Sequence, residues 1–205
     1  ARPALPPMPS APTQAPQVVL IGVSTGGPSA LNHVIPRLPG DFPLPVLIVQ
    51  HMPPLFTQSL ARDLCDRSKL RVEEARHGQI VSPGTVLIAP GGRQMKVVRT
   101  GNRVEVVLTD DPPENSCRPA VDYLFRSAVE AYRGACLGVI LTGMGSDGTE
   151  GARCIKQRGG TVLAQDEPTC VVYGMPRSVV EQGLADGVYP LHQVETEIAR
   201  RAGVK

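Results

Sequence analysis

The chain has 205 residues, 41% of them hydrophobic and 20% charged, which suits one large globular domain with a substantial core, or at most two small ones. A net charge of +2 leaves no electrostatic footprint for nucleic acid or a membrane surface, and no apolar run is long enough to span a bilayer. Aromatics make up only 3%, with no Trp, so the core must be built from Val, Leu, Ile and Ala, as in a parallel sheet buried on both faces.

The first sixteen residues, "ARPALPPMPSAPTQAP", hold six prolines and no apolar periodicity, and are expected to form an extended inter-domain linker with another domain upstream. From Gln17 onward short apolar runs alternate with helical patterns. Strands are predicted at Val18–Gly22, Val46–Gln50, Thr85–Ala89, Leu137–Leu141 and Thr161–Gln165, and a β-hairpin at Met95–Arg99 and Val104–Thr109 around "TGN". Helices are predicted at Pro28–Arg37, Phe56–Arg67, residues 119–132, Thr149–Arg158, Pro176–Gln182 and His192–Arg201. The 119–132 segment is the clearest. Val121, Leu124, Phe125, Ala128, Val129 and Tyr132 share one face, with Asp122, Arg126 and Glu130 expected as a charge ladder on the other. This alternation predicts an α/β fold of three layers, α/β/α. Its sheet should be doubly wound and mainly parallel, with a β-hairpin excursion. The five cysteines (65, 117, 136, 154 and 170) include no C-x-x-C pair, so free thiols in a cytoplasmic protein are expected, most of them acting as small buried hydrophobes.

In a doubly wound sheet, ligands bind beyond the carboxyl ends of the strands. There the sequence offers "GVSTGG" after the first strand, "QHMPP" after the second and "TGMGSDG" after the strand at 137–141. Ser24, His51 and Asp147 supply a nucleophile, a base and a carboxylate able to orient it. Gly22 to Gly26 match G-x-S-x-G, a strand-to-helix turn that exposes a serine hydroxyl beside free helix amides. A phosphate cradle is the competing reading. Against it, the loop has neither G-x-G-x-x-G spacing nor the Lys-Ser/Thr of a P-loop, and Gln50-His51 stand where a ribose-binding acid would. His33, His77 and His192 are weaker bases by position. For the third member, residues alone leave Asp110, Asp111 and Asp166 beside Asp147, and "DGTE" reads equally as a capping box. Cys117 and Cys170 lie outside any glycine-rich strand-to-helix turn.

Several separated blocks resemble the chemotaxis protein-glutamate methylesterases, the CheB family, in their catalytic domain. These are "GVSTGGPSAL" (22–31), "VQHMP" (49–53), "PGTVLIAPGG" (83–92), "RPAVDYLF" (118–125), "LTGMGSDG" (141–148) and "AQDEPTCVVYGMP" (164–176). The resemblance covers about residues 17 to 200 and implies a catalytic Ser24, His51 and Asp147. The implied activity is hydrolysis of glutamate γ-methyl esters on cytoplasmic chemoreceptor helices, with methanol released, receptor glutamines as further substrates, and no metal or organic cofactor. It also implies a phosphorylatable receiver domain in cis. The backbone amides of Thr25 and Met144 are expected to form the oxyanion hole. Two departures are visible: Val23 where Ala is usual, and Gln94 where His commonly precedes Met95, the latter bearing on a substrate-rim contact. A general esterase or amidase, and a non-catalytic nucleotide-binding regulatory module, are the alternative functions.

Overall fold

The computed structural model describes residues 13–204, so all but the last four residues of the expected linker 1–16 lie outside the described residues. In chain order the elements are β1 (Val18–Val23), α1 (Gly27–Val34), β2 (Val46–Gln50), α2 (Phe56–Arg67), β3 (Arg71–Glu74), β4 (Thr85–Ile88), β5 (Gln94–Thr100) and β6 (Arg103–Thr109). Then follow α3 (Val121–Ala131), β7 (Cys136–Ile140), α4 (Thr149–Gln157), β8 (Thr161–Gln165), α5 (Met175–Glu181), β9 (Gly187–Tyr189) and α6 (Leu191–Arg201). Seven strands form one sheet in the order β3-β4-β2-β1-β7-β8-β9, every neighbouring pair parallel. The antiparallel hairpin β5–β6 stands apart from it.

The three layers follow from alternation along fully buried strands. In β1, Val19, Ile21 and Val23 enter one core with Leu31 and Val34 of α1, Leu60 and Leu64 of α2 and Ile198 of α6. Val18 and Leu20 enter the opposite core, with Leu124 and Phe125 of α3, Ile155 of α4, Val179 of α5 and the hairpin's Met95, Val97 and Val106. Side chains two apart on a strand share a face, so one six-residue strand builds both halves of the interior. The chain runs from β1 toward β2 on one side and returns through β7 on the other. That reversal makes the carboxyl end of β1 the switch point, where a doubly wound sheet opens a crevice.

Three expectations differ from the structure. The helix predicted to reach Arg37 ends at Val34 and gives way to a 3₁₀ turn, Ile35–Arg37, because Pro36 has no amide to donate. Strands β3 and β9 carry no apolar run; they are the two edges of the sheet, where fewer side chains need burial. The charge ladder of α3 is not a solvated face. Asp122 is buried, and Arg126 reaches out of the helix to Glu114 at 2.5 Å.

Candidate active site

Strand register brings the candidate residues together. Val23 is paired with Gln50, so the next residues, Ser24 and His51, leave the sheet on adjacent strands. The His51 amide donates to Val23 O at 3.1 Å, and the Ser24 amide donates to Thr142 O, just past β7, at 3.0 Å. Both glycines of the turn are structurally required. A Cβ on Gly22 would lie 2.5 Å from Val121 Cγ1, and Gly26 sits at φ 82°, in the left-handed region. Gln50, buried under the turn, donates its amide Nε2 to both Ser24 O and His51 O at 3.0 Å. Thr142 ties in the next loop: its hydroxyl donates to Thr25 O at 2.9 Å and accepts from the amides of Val171 and Val172.

His51 Nε2 lies 2.7 Å from Asp147 Oδ2. The carboxylate also accepts from the amides of Val121 (2.7 Å) and Asp122 (3.0 Å) and from Asn115 Nδ2 (2.9 Å). Burial pushes the Asp147 carboxyl up, but the His51, Val121, Asp122 and Asn115 donors outweigh it and hold the group below the usual carboxylate range. An ionised acceptor on Nε2 fixes the tautomer, with the proton on Nε2 and a lone pair on Nδ1.

The capping-box reading of "DGTE" is corrected by the same contacts. Helix α4 is capped by Gly148 with no side-chain bond, while Asp147 caps the first turn of α3 instead. Asp122, in that first turn, returns the contact by accepting from Gly151 of α4 at 2.7 Å. Asn115 Nδ2 bridges the two carboxylates, 2.9 Å from each. Burial and the neighbouring Asp147 charge push Asp122 up to about 6, against the Gly151 and Asn115 donors. The two helices are therefore cross-capped by side chains 25 residues apart, a pairing invisible to local pattern.

The other sequence candidates are held elsewhere. Asp110 pairs with Arg93, Asp111 accepts from the Tyr123 hydroxyl, and Asp166 accepts from the Thr169 amide. His77 Nδ1 accepts from the Leu108 amide, and His33 lies in α1. Gln94 is no rim contact: fully buried, it donates to Pro112 O and Cys117 O and accepts from the Ala120 amide, bracing the 112–120 loop. All five cysteines are free, but only Cys136 is buried. Cys117 lies beside His51, its Sγ 3.5 Å from Nδ1, and with the proton on Nε2 its thiol is the donor. Burial and the Asp147 charge push that thiol up, so it keeps its proton. Sequence reasoning missed Gln50, Asn115, Asp122, Thr142 and this thiol; only Gln50, adjoining His51, carried a positional signal.

The Ser24 hydroxyl makes no hydrogen bond among the described residues, to His51 or otherwise. The amides of Thr25 and Met144 likewise have no partner there. A Cβ on Gly143 would come within 2.8 Å of Ser24 Cβ, which places the Gly143–Met144 backbone beside the serine. The arrangement offers a free hydroxyl, an imidazole whose Nδ1 lone pair meets only the weak thiol donor of Cys117, a buried anion and unpaired amides at one rim.

A doubly wound α/β domain that carries serine, histidine and aspartate on three adjoining strand ends defines a class, that of hydrolase-like domains with the set at the switch point. More particularly, the chain belongs to the CheB methylesterase family, whose model matches residues 19–198. It is 51% identical over 184 residues to a protein-glutamate methylesterase/protein-glutamine glutaminase of Desulfotalea psychrophila, covering 89% of this chain and 50% of that protein. A protein of the same name from Archaeoglobus fulgidus is 49% identical over 187 residues, covering 91% of this chain and 54% of the relative. The chain thus spans about half the length of the curated relatives it matches. The crystal structure of the Thermotoga maritima CheB methylesterase catalytic domain superposes with a TM-score of 0.88 at 47% identity, covering 90% of this chain and 98% of that one.

Proposed function

We propose that this domain is a serine esterase that hydrolyses glutamate γ-methyl esters on a protein substrate, with Ser24 as nucleophile, His51 as base and Asp147 as orienting anion. The observation that carries the reading is the 2.7 Å contact between His51 Nε2 and a fully hydrogen-bonded Asp147, on the strand end next to Ser24. With Nε2–H committed to Asp147, Nδ1 takes the Ser24 proton as Oγ attacks the ester carbonyl. That contact forms when the Ser24 hydroxyl displaces the weak Cys117 thiol donor from Nδ1, in keeping with the looseness of catalytic hydrogen bonds in unliganded enzymes. The amides of Thr25 and Met144 stabilise the oxyanion. Collapse of the tetrahedral intermediate breaks the C–O bond, and Nδ1–H protonates the leaving methoxide to methanol. Water, deprotonated by Nδ1, then cleaves the acyl-enzyme to free glutamate. A glutamine side chain would follow the same course with ammonia as leaving group, as the relatives' name implies for them.

A protein substrate is favoured over a small ester by the rim. Leu55, Met144 and Val171, on the loops after β2, β7 and β8, and Phe56, the first residue of α2, are each more than 60% exposed. Exposed apolar groups gathered around a site mark a macromolecular contact. The relatives' name supports a protein glutamate ester as that substrate, and the family resemblance supports methylated chemoreceptors in the cytoplasm, with a receiver domain joined through the proline-rich segment as the regulator. Methanol release from methylated receptor is the test. Ser24→Ala should abolish it and retain the native melting temperature; sustained turnover by that variant would refute the reading.

A further inference from the structure

We propose that His51 Nδ1 and Cys117 Sγ form a binding site for a thiophilic divalent cation, Zn²⁺ above all, and that its occupation switches the site off. The proposal rests on geometry around the imidazole and deepens the esterase reading only through the inhibition it implies. His51, Cys117 and Asp147 form the cluster of metal-ligating side chains found among the described residues, their donor atoms within 4.8 Å of one another. Within it the roles divide. Asp147 already accepts from His51, Val121, Asp122 and Asn115, so it has no reason to turn toward an ion. It acts on the far side of the ring, holding the proton on Nε2 and leaving the Nδ1 lone pair toward Cys117, which is how carboxylates prepare a histidine ligand.

The remaining pair has the right spacing. Zn–S bonds of about 2.3 Å and Zn–N bonds of about 2.0–2.1 Å at a tetrahedral angle set sulfur and nitrogen about 3.5 Å apart. The Sγ–Nδ1 distance is 3.5 Å. An open cleft lined by His51, Met52, Pro54, Gly92, Cys117 and Arg118 leads to the pair from solvent. Arg118, the cation at its edge, donates to the carbonyls of Asp110 and Asp111. Binding replaces the thiol S–H with a sulfur–metal bond and releases that proton to solvent. No oxidant or reductant is needed, and two water molecules complete the tetrahedron. Nδ1 is the atom that must accept the serine proton, so metal and catalysis exclude each other.

Co²⁺, which takes zinc sites and reports a thiolate ligand by a charge-transfer band, is the probe for the resting protein. Zn²⁺ is the probe for methanol release, each rate being normalised to the same variant without metal. The expected result is a cobalt–thiolate band abolished in Cys117→Ala and Cys117→Ser but kept in Cys154→Ala. Low-micromolar Zn²⁺ should inhibit, with its potency weakened at least about tenfold in both Cys117 variants. A band absent from the native chain, a band that survives loss of Cys117, or equal Zn²⁺ potency in native and Cys117 variants would overturn the proposal. The spectrum needs no substrate, so its failure tells against the metal site alone, whereas absent methanol release without metal tells against the esterase reading.

Discussion

The two ends of the candidate site are built in opposite ways. At the Asp147 end every oxygen is occupied: the carboxylate takes four donors, from His51, Asn115 and two α3 amides, and its side chain is 3% exposed. At the Ser24 end the backbone is fixed, through Thr142 O and Gln50, while the hydroxyl is left without a partner among the described residues. The contrast suits the two jobs proposed for these residues. An orienting anion works by being immobile and dry, because its charge is worth more where no water screens it. A nucleophile works by being unspent, so only its peptide units are braced.

The sharpest way to break the comparison is to delete both groups. Ser24→Ala should cost activity on the order of 10⁴-fold or more and leave stability within about 0.5 kcal/mol, since no bond is lost. Asp147→Ala should cost activity on the order of 10³–10⁴-fold and also about 2 kcal/mol or more of stability, because two buried amides of α3 lose their acceptor. Equal melting temperatures for the two variants would show that the carboxylate is not a structural clamp.

Next in size is the turn itself. Gly22→Ala should destabilise by about 2 kcal/mol, because its methyl would overlap Val121, at the start of the helix that Asp147 caps. Denaturant midpoints with an unchanged slope would measure it; an unaltered midpoint would mean the turn is free to yield.

Asp122 sharpens the comparison by titration. Folding raises its carboxyl to about 6 from an ordinary 3.8, so between those values the folded chain binds more protons than the unfolded one. Stability from this group therefore falls as pH climbs from about 4 to 6, the reverse of Asp147, whose lowered value makes its contribution vanish as pH drops. Asp122→Asn should remove the former slope, on the order of 2 kcal/mol across the window. A melting-temperature difference between native and variant that is flat from pH 4 to 6.5 would contradict it.

The smallest expected effect concerns the rim. Phe56→Asp should lower kcat/KM on methylated receptor about tenfold while leaving hydrolysis of a small chromogenic ester unchanged. Equal losses on both substrates would place Phe56 in the chemistry, not in docking.

The sequence by itself determined the architecture and the shortlist. Short, β-branched apolar runs such as "VVLIG" and "VLIVQ", alternating with helical patterns, read as buried parallel strands, and the glycines around Ser24 mark a turn too tight for side chains. Periodicity is local, so these features survive being read one segment at a time. Tertiary structure alone decided what depends on distant segments meeting. The edge strands β3 and β9 exist because a neighbour supplies their partners, not because their residues are apolar. Asp147 was chosen over Asp110, Asp111 and Asp166 because only its carboxylate reaches the imidazole and the amides of a helix 25 residues upstream. Cys117 became a neighbour of His51 across 66 residues for the same reason: a loop's destination is set by the packing of the elements it joins. No pattern within the loop records that.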